Sequence, residues 1–381
     1  MTSKAIETYH NLMALCKEDE AFYFADFKAA DRMYRIFNYR LANWSSFEKP
    51  SAKDCRGIMY DVTNKEFPIL VSLPMEKFFN FQEGTVDHTS GYMFTKMVKM
   101  DGSLISTYLH KGKLMLKSKG SISSSQAIAA MAYLDKHPEH KQKILEIVRD
   151  DFTVNMEWTA MDNRIVVPYQ EESLTILSVR SHASFRNYYG LDLKHVTSPV
   201  LKDWIVDYTC ETIIGSEMTD VISKIKKEQE GEGYVIEIVK PDDNYLIKVK
   251  NDRYLALHQA KDGVYNPKRL FVAVLEESTD DLRSMFTDDA YVLSLIEGME
   301  NTVQPVYNHL VKTVEDFYSD NKHLERKEYA IKAQSEHPKI MGLLMSAYLG
   351  RNVDYKEFSI KNMVDYYGIS TAEIPMEMTF E

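Results

Sequence analysis

The chain has 381 residues, of which 44% are hydrophobic and 12% aromatic, and its formal net charge is −11. This composition excludes a disordered or fibrous protein, and no apolar run approaches the roughly 20 residues that a membrane-spanning helix needs. The acidic balance argues against a general nucleic-acid coating protein, but it is compatible with an enzyme that has a local basic groove.

The N-terminal end and the cysteines indicate a cytosolic protein. Residues 1–7 lack the apolar core of a signal peptide and include the acidic Glu7. Cys16, Cys55 and Cys210 are odd in number, far apart in sequence and do not form a CxxC pair. We therefore expect neither a disulfide framework nor a cysteine zinc site, and a reducing compartment suits the chain.

The first two thirds of the chain mix helix and strand patterns. Apolar residues recur at helical spacing from Ile6 to Met13, which predicts a helix over 4–17. Short apolar runs then indicate a β-sheet, and the dipeptides Asp101-Gly102 and Lys111-Gly112 predict hairpin turns. The predicted strands are 34–39, 57–62, 69–73, 92–98, 103–109, 113–116, 153–157, 164–167, 174–180, 233–239 and 245–249, with helices over 126–134 and 141–149.

The C-terminal third has a helical pattern. Apolar residues from Val303 to Val314 follow one face of a helix, and the acidic stretch 276–281 indicates a solvent-exposed helix start. We therefore predict two domains, 1–258 and 259–381, of which the second is mostly helical. Further helices are predicted over 329–334, 340–349 and 360–367.

The segment Lys99-Met100-Asp101-Gly102 has the pattern K-x-D-G. Asp-Gly favours a tight turn, which places Lys99 at the end of one strand and Ser103 at the start of the next. Taken alone, so short a motif has two interpretations. It is either a surface hairpin with an ordinary solvated lysine or the position of a reactive amine.

Two lysines share a face of a later strand. Lys248 and Lys250 alternate with Ile247 and Val249, and the two-residue period of a strand puts both lysines on one side. Ammonium groups on one face repel each other unless an anion or carboxylates lie between them. The alternative is a solvent-facing strand edge protected by basic residues.

Carboxylates and further cations lie at other strand ends. Glu157 is flanked by apolar residues, so it lies either on an outer face or buried with a partner, and Glu232-Gly233 leads into a strand. Arg56, Lys77 and Lys119 also lie near strand or hairpin ends. This set suits a polyphosphate with a divalent metal, because cations neutralise phosphate oxygens and carboxylates hold Mg²⁺.

In combination these motifs resemble those of the phage RNA ligase 1 family, within the covalent nucleotidyltransferase superfamily of ATP-dependent ligases and RNA capping enzymes. The resemblance covers nearly the whole chain. It implies an α+β fold, in which an antiparallel-sheet nucleotidyltransferase domain (an ATP-grasp-like ligase domain) precedes an all-helical C-terminal domain. The segments that carry it are YRIF at 34–37, CRGIM at 55–59, PMEKFFN at 74–80, DGSL at 101–104, KSKGSI at 117–122, NRIV at 163–166, EGYV at 232–235, STDDL at 278–282 and MSAYLG at 345–350.

The resemblance also implies roles for particular residues, with Lys99 as the residue that takes AMP covalently. The catalytic residues that it implies are Lys99, Lys119, Glu157, Glu232, Lys248 and Lys250. The nucleotide-binding residues are Tyr39, Arg56, Lys77, Phe79, Lys99, Gly102, Glu157, Gly233, Lys248, Lys250 and Tyr254. The implied metal ligands are Glu157 and Glu232, together with Asp280 and Asp281 for a second, non-catalytic ion.

The function implied by the resemblance is ATP-dependent ligation of RNA. A 5′-phosphate would be joined to a 3′-hydroxyl through a lysyl-AMP intermediate and an RNA-adenylate. The implied cofactors are ATP and Mg²⁺, with Mn²⁺ as an alternative ion, and the partners are RNA ends, chiefly tRNA broken in the anticodon loop. We expect a monomer of phage origin, without a membrane partner, that acts in the host cytoplasm.

Other functions share part of this pattern. DNA ligases and capping enzymes have the same core motifs, but both usually carry an OB-type β-barrel where this sequence is helical. A catalytically inactive RNA-binding module is a candidate from a different class, and the complete set of lysines and glutamates counts against it. Basic residues of the C-terminal region either dock tRNA or form a solvated face; they are Lys322, Arg326, Lys327, Lys332 and Lys339.

Overall fold

A computed structural model describes residues 3–40, 42, 44–81, 83, 90–163, 165–241, 244–287, 289–372 and 374 of the chain. The chain divides into two compact units, Met1–Leu255 and Ala256–Glu381. The first unit combines β-sheets with helices, and the second is helical.

The helices of the first unit are α1 (Ser3–Glu18), α2 (Ser125–Asp135), α3 (Pro138–Arg149) and α4 (Ser216–Lys227). Its strands are β1 (Phe22–Ala29), β2 (Arg32–Tyr39), β3 (Met59–Asp61), β4 (Ile69–Ser72), β5 (Phe79–Asn80), β6 (Tyr92–Val98), β7 (Ser103–His110), β8 (Lys113–Ser118), β9 (Phe152–Thr159), β10 (Ser173–Ser181), β11 (Asn187–Tyr188), β12 (Tyr208–Ile213), β13 (Gly233–Val239) and β14 (Asn244–Lys250).

These strands form three sheets. The first has the order β1-β2-β3-β4, the second β11-β10-β9-β7-β8 and the third β12-β6-β13-β14-β5. Neighbouring strands run antiparallel, except for β14 and β5, which are parallel. The predicted α+β fold with antiparallel sheets is therefore confirmed.

Each sheet packs an apolar face against a helix. Strand side chains alternate between two faces, so every second residue of a strand can join such a core. Burial of this apolar surface is the main favourable contribution to folding. Buried pairs from sheet and helix in the same core are Phe37 with Leu12, Ile105 with Ala130, and Ile236 with Ile222.

The K-x-D-G segment crosses from the third sheet to the second. β6 pairs with β12 and β13, whereas β7 pairs with β8 and β9. The hairpin predicted at Asp101-Gly102 is therefore wrong, because the strands on either side find their partners elsewhere in the chain. The hairpin at Lys111-Gly112 is confirmed: it joins β7 to β8, and φ of 50° and 76° at these residues fits a type I′ turn.

Other elements differ from the prediction. No strand forms over the described residues 165–167, where Val166 and Val167 instead donate backbone hydrogen bonds to Asp101; Arg164 lies outside the described residues. β1, β12 and α4 were not predicted. All residues of β12 except the last are exposed, so this strand lacks the alternating burial that makes strands visible in a sequence.

The second unit is helical, as predicted. α11 ends at Lys361, so the helix predicted over 360–367 is wrong: the buried Met363 and Tyr367 have helical spacing but lie in turns. Among the described residues, no helix is both long and apolar enough to cross a membrane. The remaining helices are α5 (Asp252–Tyr265), within which the two units divide, α6 (Pro267–Leu275), α7 (Thr279–Met285), α8 (Ala290–Asn321), α9 (Arg326–Glu336), α10 (Met341–Tyr348) and α11 (Tyr355–Lys361).

Truncation of one buried side chain tests the core of the third sheet. Ile247 is 2% exposed, so Ile247→Ala should lower the free energy of unfolding by about 2–5 kcal/mol, through lost apolar contact and a residual cavity. Urea titration measures this loss. Ile128→Ala is the matched control, because Ile128 on α2 is 62% exposed and should change the stability little. Equal losses in the two variants would contradict the burial described here.

Candidate active site

Residues from all three sheets line a cavity of about 450 Å³, named here the first cavity. Its size is within the range of small-molecule sites, which is about 300–1,000 Å³. The sequence-predicted site residues that line it are Tyr39, Arg56, Lys77, Lys99, Gly102, Lys119, Glu157 and Lys248. Residues that lie far apart in the chain are thus brought together as the motifs predicted.

Glu232 is a buried carboxylate that pairs with two lysines. Nζ of Lys99 lies 2.5 Å from Oε2, and Nζ of Lys250 lies 2.8 Å from Oε1. The Glu232 side chain is 2% exposed, whereas those of Lys99 and Lys250 are 20% and 23% exposed. A carboxylate removed from water needs such partners, so a single acid holds both ammonium groups beside the first cavity.

Strand pairing in the third sheet brings these three groups together. β13 begins at Gly233, directly opposite Lys250 at the end of β14. The backbone N–H of Lys99 donates to the carbonyl oxygen of Gly233 over 2.9 Å. Gly233 has φ 132°, and a Cβ there would collide with the carbonyl oxygen of Val249, so this position requires glycine.

Asp101 is a structural residue of the K-x-D-G segment. Its Oδ2 accepts the backbone N–H groups of Val166 and Val167, each at 2.8 Å, and its Oδ1 accepts the hydroxyl of Tyr254 at 2.7 Å. Its own N–H donates to the hydroxyl of Tyr169 over 3.0 Å. These bonds fix the backbone next to the lysine. Tyr254 is committed to this contact and does not line the first cavity.

Glu157 lies on β9 and faces the first cavity. Of the two positions that the sequence left open, it therefore takes the one inside the protein and not the one on an outer face. Its Oε1 accepts the N–H of Gly102 over 3.2 Å. The surrounding protein raises the pKa of Glu157 to about 7, mainly by burial, although Lys99 and Arg56 oppose the shift. A Cβ on Gly102 would collide with the carbonyl oxygen of Trp158, so glycine allows the close approach of β7 to β9.

Lys248 reaches the first cavity from β14. Its neighbours Ile247 and Val249 are each 2% exposed in the core of the third sheet, which confirms the predicted alternation. Burial lowers the pKa of Lys248 to about 7, and the positive charges of Lys77, Lys99, Lys250 and Arg56 add to the shift. This amine therefore lies among other cations rather than beside an acid.

Two further lysines are held over aromatic rings. Nζ of Lys119 lies 4.3 Å from the ring centre of Tyr39, and Nζ of Lys77 lies 5.3–5.6 Å from those of Tyr39, Phe47 and Phe79. The negative faces of such rings attract cations. Burial lowers the pKa of Lys119 to about 8, with Arg56 and Lys77 contributing to the shift.

Apart from Lys99, the cations that line the first cavity lack an acidic partner among the described residues. In the part of the chain that the structure describes, Arg56, Lys77, Lys119 and Lys248 form no ion pair with a carboxylate. Four cations around one cavity repel each other, and an anion with several oxygens would relieve that repulsion. The first cavity is therefore suited to a polyphosphate.

Lys117 is a residue of this region that the sequence analysis missed. It is fully buried, and its Nζ donates to the carbonyl oxygen of Ser118 over 3.0 Å. Burial lowers the pKa of Lys117 to about 7, and Arg56 adds to the shift. The signal was present in the sequence, because Lys117 and Lys119 are two residues apart and project from the same face of the chain at the end of β8.

Three remaining predicted residues lie elsewhere. Phe79 lines a neighbouring cavity of about 960 Å³, named here the second cavity, and it does not line the first. Asp280 is exposed on α7 in the second unit. The side chain of Asp281 lies outside the described part of the structure, so the predicted aspartate pair stays a prediction.

The acidic side chains near Lys99 suit a divalent metal that takes few protein ligands. Within the described residues, no group of three or more histidine, cysteine, aspartate or glutamate side chains could hold a metal ion. Mg²⁺ commonly uses one or two carboxylates and completes its coordination with phosphate oxygens and water. Glu157 lines the cavity suited to polyphosphate and matches that requirement, whereas both oxygens of Glu232 already contact ammonium groups.

Comparisons with known proteins cover both units. The protein-family model described as RNA ligase matches residues 54–254, and the model described as T4 RNA ligase 1, C-terminal domain, matches residues 261–366. Solved structures with a partial likeness include a Naegleria gruberi RNA ligase with PPi, which has a TM-score of 0.36 and 14% sequence identity over 45% of this chain and 53% of that chain. A variant of the same ligase with ATP and Mn has a TM-score of 0.35 and 13% identity over the same shares.

Several curated relatives are similar in sequence. A protein of Autographa californica nuclear polyhedrosis virus, named as a bifunctional polynucleotide kinase/RNA ligase, is 24% identical over 76% of this chain and 45% of its own length. The RNA ligase of Rhodothermus phage RM378 is 22% identical over 80% of this chain and 83% of its own length. RNA ligase 1 of Bacteriophage TS2126 is 24% identical over 70% and 66%.

The chain thus spans less than half the length of the first of these relatives. In each of the three comparisons, two thirds or more of this chain is matched. The two family models together extend from the segment around Arg56, through Lys99 and Lys250, into α11. On these matches, the chain belongs to the T4 RNA ligase 1 family.

Proposed function

We propose that this chain is an ATP-dependent RNA ligase that joins a 5′-phosphate to a 3′-hydroxyl through lysyl-AMP and RNA-adenylate intermediates. The observation that carries the proposal is Lys99, which lies beside a cavity of unpaired cations and is hydrogen-bonded to the buried Glu232. A protein that only binds RNA has no need for a lysine in that position.

In the first step Lys99 attacks the α-phosphorus of ATP. Only a neutral amine can attack, and a free lysine, with a pKa of about 10.4, is almost entirely protonated at neutral pH. Oε2 of Glu232, at 2.5 Å from Nζ, is the atom best situated to receive the proton. The Nζ–P bond forms as the bond from the α-phosphorus to pyrophosphate breaks, and Arg56, Lys77 and Lys119 match the charge of the departing group.

In the second step an oxygen of the RNA 5′-phosphate displaces Lys99 from AMP. In the third step a 3′-hydroxyl oxygen loses its proton to solvent and bonds to the phosphorus of the RNA 5′-phosphate, while the bond from that phosphorus to AMP breaks and the strand is closed. Lys248 lies on the wall of the first cavity, where it can contact phosphate oxygens throughout this sequence. Glu157 can accept hydrogen bonds from ribose hydroxyls or from water bound to a metal ion. Glu157 and Glu232 would hold that ion, which supplies neutralisation of phosphate charge when bound.

The natural substrate that we propose is tRNA with a break in the anticodon loop, repaired in the cytoplasm of a phage host. The match of residues 261–366 to a C-terminal domain model supports a second unit with a role of its own. Arg326 and Lys327 are exposed on α9, where basic side chains can contact phosphates. Asp280 and Asp281 are proposed to hold a second, non-catalytic ion.

DNA ligases and capping enzymes are the alternatives with related chemistry. The helical second unit counts against both, because they usually carry a β-barrel in its place. Sealing of nicked tRNA, single-stranded RNA and nicked duplex DNA, measured in parallel, separates the ligases. Comparison of adduct formation with ATP and with GTP distinguishes a ligase from a capping enzyme. Absence of any adduct would favour a catalytically inactive RNA-binding module.

Substitution of Lys99 tests the covalent step. Both Lys99→Ala and Lys99→Arg should lose the AMP adduct; the arginine variant keeps a cation opposite Glu232, but its guanidinium stays protonated and cannot attack. Labelled ATP followed by a denaturing gel detects the adduct. Lys113→Arg, at an exposed hairpin position on β8, is the control that should retain it. A labelled band in either Lys99 variant would refute the assignment.

The pKa of Lys119 predicts how nucleotide binding depends on pH. Its folded pKa of about 8 means that Lys119 loses its charge as pH rises through that value, so affinity for an ATP analogue should fall between about pH 7 and 9. In Lys119→Met this component is absent, and the affinity should be lower at pH 7 and change less with pH. Calorimetry measures the affinity of both proteins for the same analogue at each pH. Ionisation of the analogue affects both proteins equally, so it does not change the comparison. Parallel pH profiles would contradict the prediction.

A double substitution tests the role of the second unit. Arg326→Ala with Lys327→Ala should lower the rate of sealing of nicked tRNA about fivefold or more, because phosphate contacts are lost, while sealing of short single-stranded RNA stays unchanged. Lys356→Ala, also exposed in the second unit, is the control. If both substrates are sealed more slowly to the same extent, α9 has no role in docking tRNA.

A further inference from the structure

The second cavity adjoins the first. Its volume is about 960 Å³, and both cavities are lined by Lys77, Phe78, Tyr189 and Leu246. Lys77 is the important shared residue, since under the proposed function it would contact the pyrophosphate. Under that function, the second cavity would therefore lie next to the departing pyrophosphate.

The chemistry of the proposed function requires RNA to arrive from that side. Attack and departure at phosphorus are roughly in line. When Lys99 bonds to the α-phosphorus, pyrophosphate leaves from the opposite side. When a 5′-phosphate oxygen later bonds to the same phosphorus, the Nζ–P bond breaks and the nitrogen regains a proton. The incoming phosphate must then occupy the side that pyrophosphate vacated, next to Lys77.

A second lysine lies close to Lys77 on this wall. The backbone N–H of Lys77 donates to the carbonyl oxygen of Lys53 over 2.8 Å, which joins the two segments. Lys53 is exposed and lines the second cavity but not the first. Neither lysine forms an ion pair with a carboxylate of the described residues. Two lysines without an ion pair among the described residues thus line the second cavity, and one of them, Lys77, also lines the first.

Aromatic rings lie beside these lysines. The ring centres of Trp44 and Phe79 are 6.3 Å apart and those of Phe47 and Phe79 are 5.6 Å apart, and all three residues line the second cavity. Trp44 and Phe79 are partly exposed. Partly exposed rings beside unpaired lysines are the arrangement with which proteins bind single-stranded nucleic acid, by stacking on bases and pairing with phosphates.

Several acidic residues that line the second cavity are engaged by neighbours, whereas Glu48 also lines it and is exposed. Asp54 pairs with Arg180 at 2.8 Å, and Asp192 pairs with Arg186 at 2.8 Å. The buried Glu237 accepts hydrogen bonds from neighbouring hydroxyls, including that of Tyr189 at 3.0 Å. These contacts reduce the repulsion that the carboxylates would otherwise exert on a phosphate entering the cavity.

We propose that the second cavity binds the 5′-terminal nucleotide of the RNA strand that receives AMP, with Lys53 contacting its phosphate and Trp44 stacking on its base. This proposal rests on the proposed function. It adds a subsite that is used only after pyrophosphate has left, built from residues that do not line the first cavity.

Transfer of AMP from preloaded enzyme to RNA tests the subsite. Wild-type protein, Trp44→Ala, Lys53→Ala and Lys53→Arg are first labelled with AMP and freed of ATP. Each is then mixed in excess with a 5′-phosphorylated oligoribonucleotide at increasing enzyme concentration, and the single-turnover transfer rate gives the half-saturating concentration. Lys113→Ala is the matched surface control. A second oligonucleotide that lacks the base of its first residue separates stacking from phosphate contact.

The proposed subsite predicts different outcomes for the formation of enzyme–AMP and for the transfer of AMP to RNA. Enzyme–AMP should form in all variants, whereas the half-saturating concentration should rise about fivefold or more in Trp44→Ala and Lys53→Ala. Lys53→Arg should recover most of the loss, and the Trp44→Ala effect should vanish with the abasic oligonucleotide. Wild-type values in both alanine variants would overturn the subsite. Failure of the wild-type protein itself to form enzyme–AMP would instead overturn the proposed function.

Discussion

The carboxylate of Glu232 organises the candidate site, because it is buried and must be paired. Its two oxygens contact Lys99 and Lys250, and removal of both partners would leave an uncompensated charge in the protein interior. The arrangement follows directly from strand pairing: β13 starts opposite the end of β14, and the backbone of Lys99 is bonded to Gly233. The sheet that supplies stability therefore also sets the position of Lys99.

Around this paired acid, the remaining cations that line the first cavity form no ion pair with a carboxylate of the described residues. Lys119 and Lys248 have pKa values lowered by burial to about 8 and about 7, which indicates that the folded protein accommodates their charge poorly. A bound polyphosphate would raise these pKa values again, because its oxygens stabilise each ammonium group. Lys117 is fully buried and is a third amine whose pKa is lowered by burial. The site is thus arranged for an anion that the protein itself does not supply.

Sequence patterns predicted the parts of this structure that depend on local periodicity. The bounds of β6 and β13 match the predicted strands, and the alternation around Lys248 gave the correct face. Patterns failed where pairing is non-local: Asp101-Gly102 has the residues of a hairpin turn, yet its flanking strands belong to different sheets. Burial and non-local hydrogen bonds are equally invisible in a sequence, which shows neither that Lys117 is fully buried nor that the hydroxyl of Tyr254 is bonded to Asp101.

Under the proposed function, the amine of Lys99 becomes bonded to the α-phosphorus of ATP. Mass spectrometry of the protein after incubation with ATP and a divalent metal tests this directly, with fragmentation of the proteolytic peptides to locate the added AMP. We expect a single modified residue, Lys99. An adduct on Lys119, Lys248 or Lys250, or no adduct on any peptide of a fully mapped chain, would contradict it.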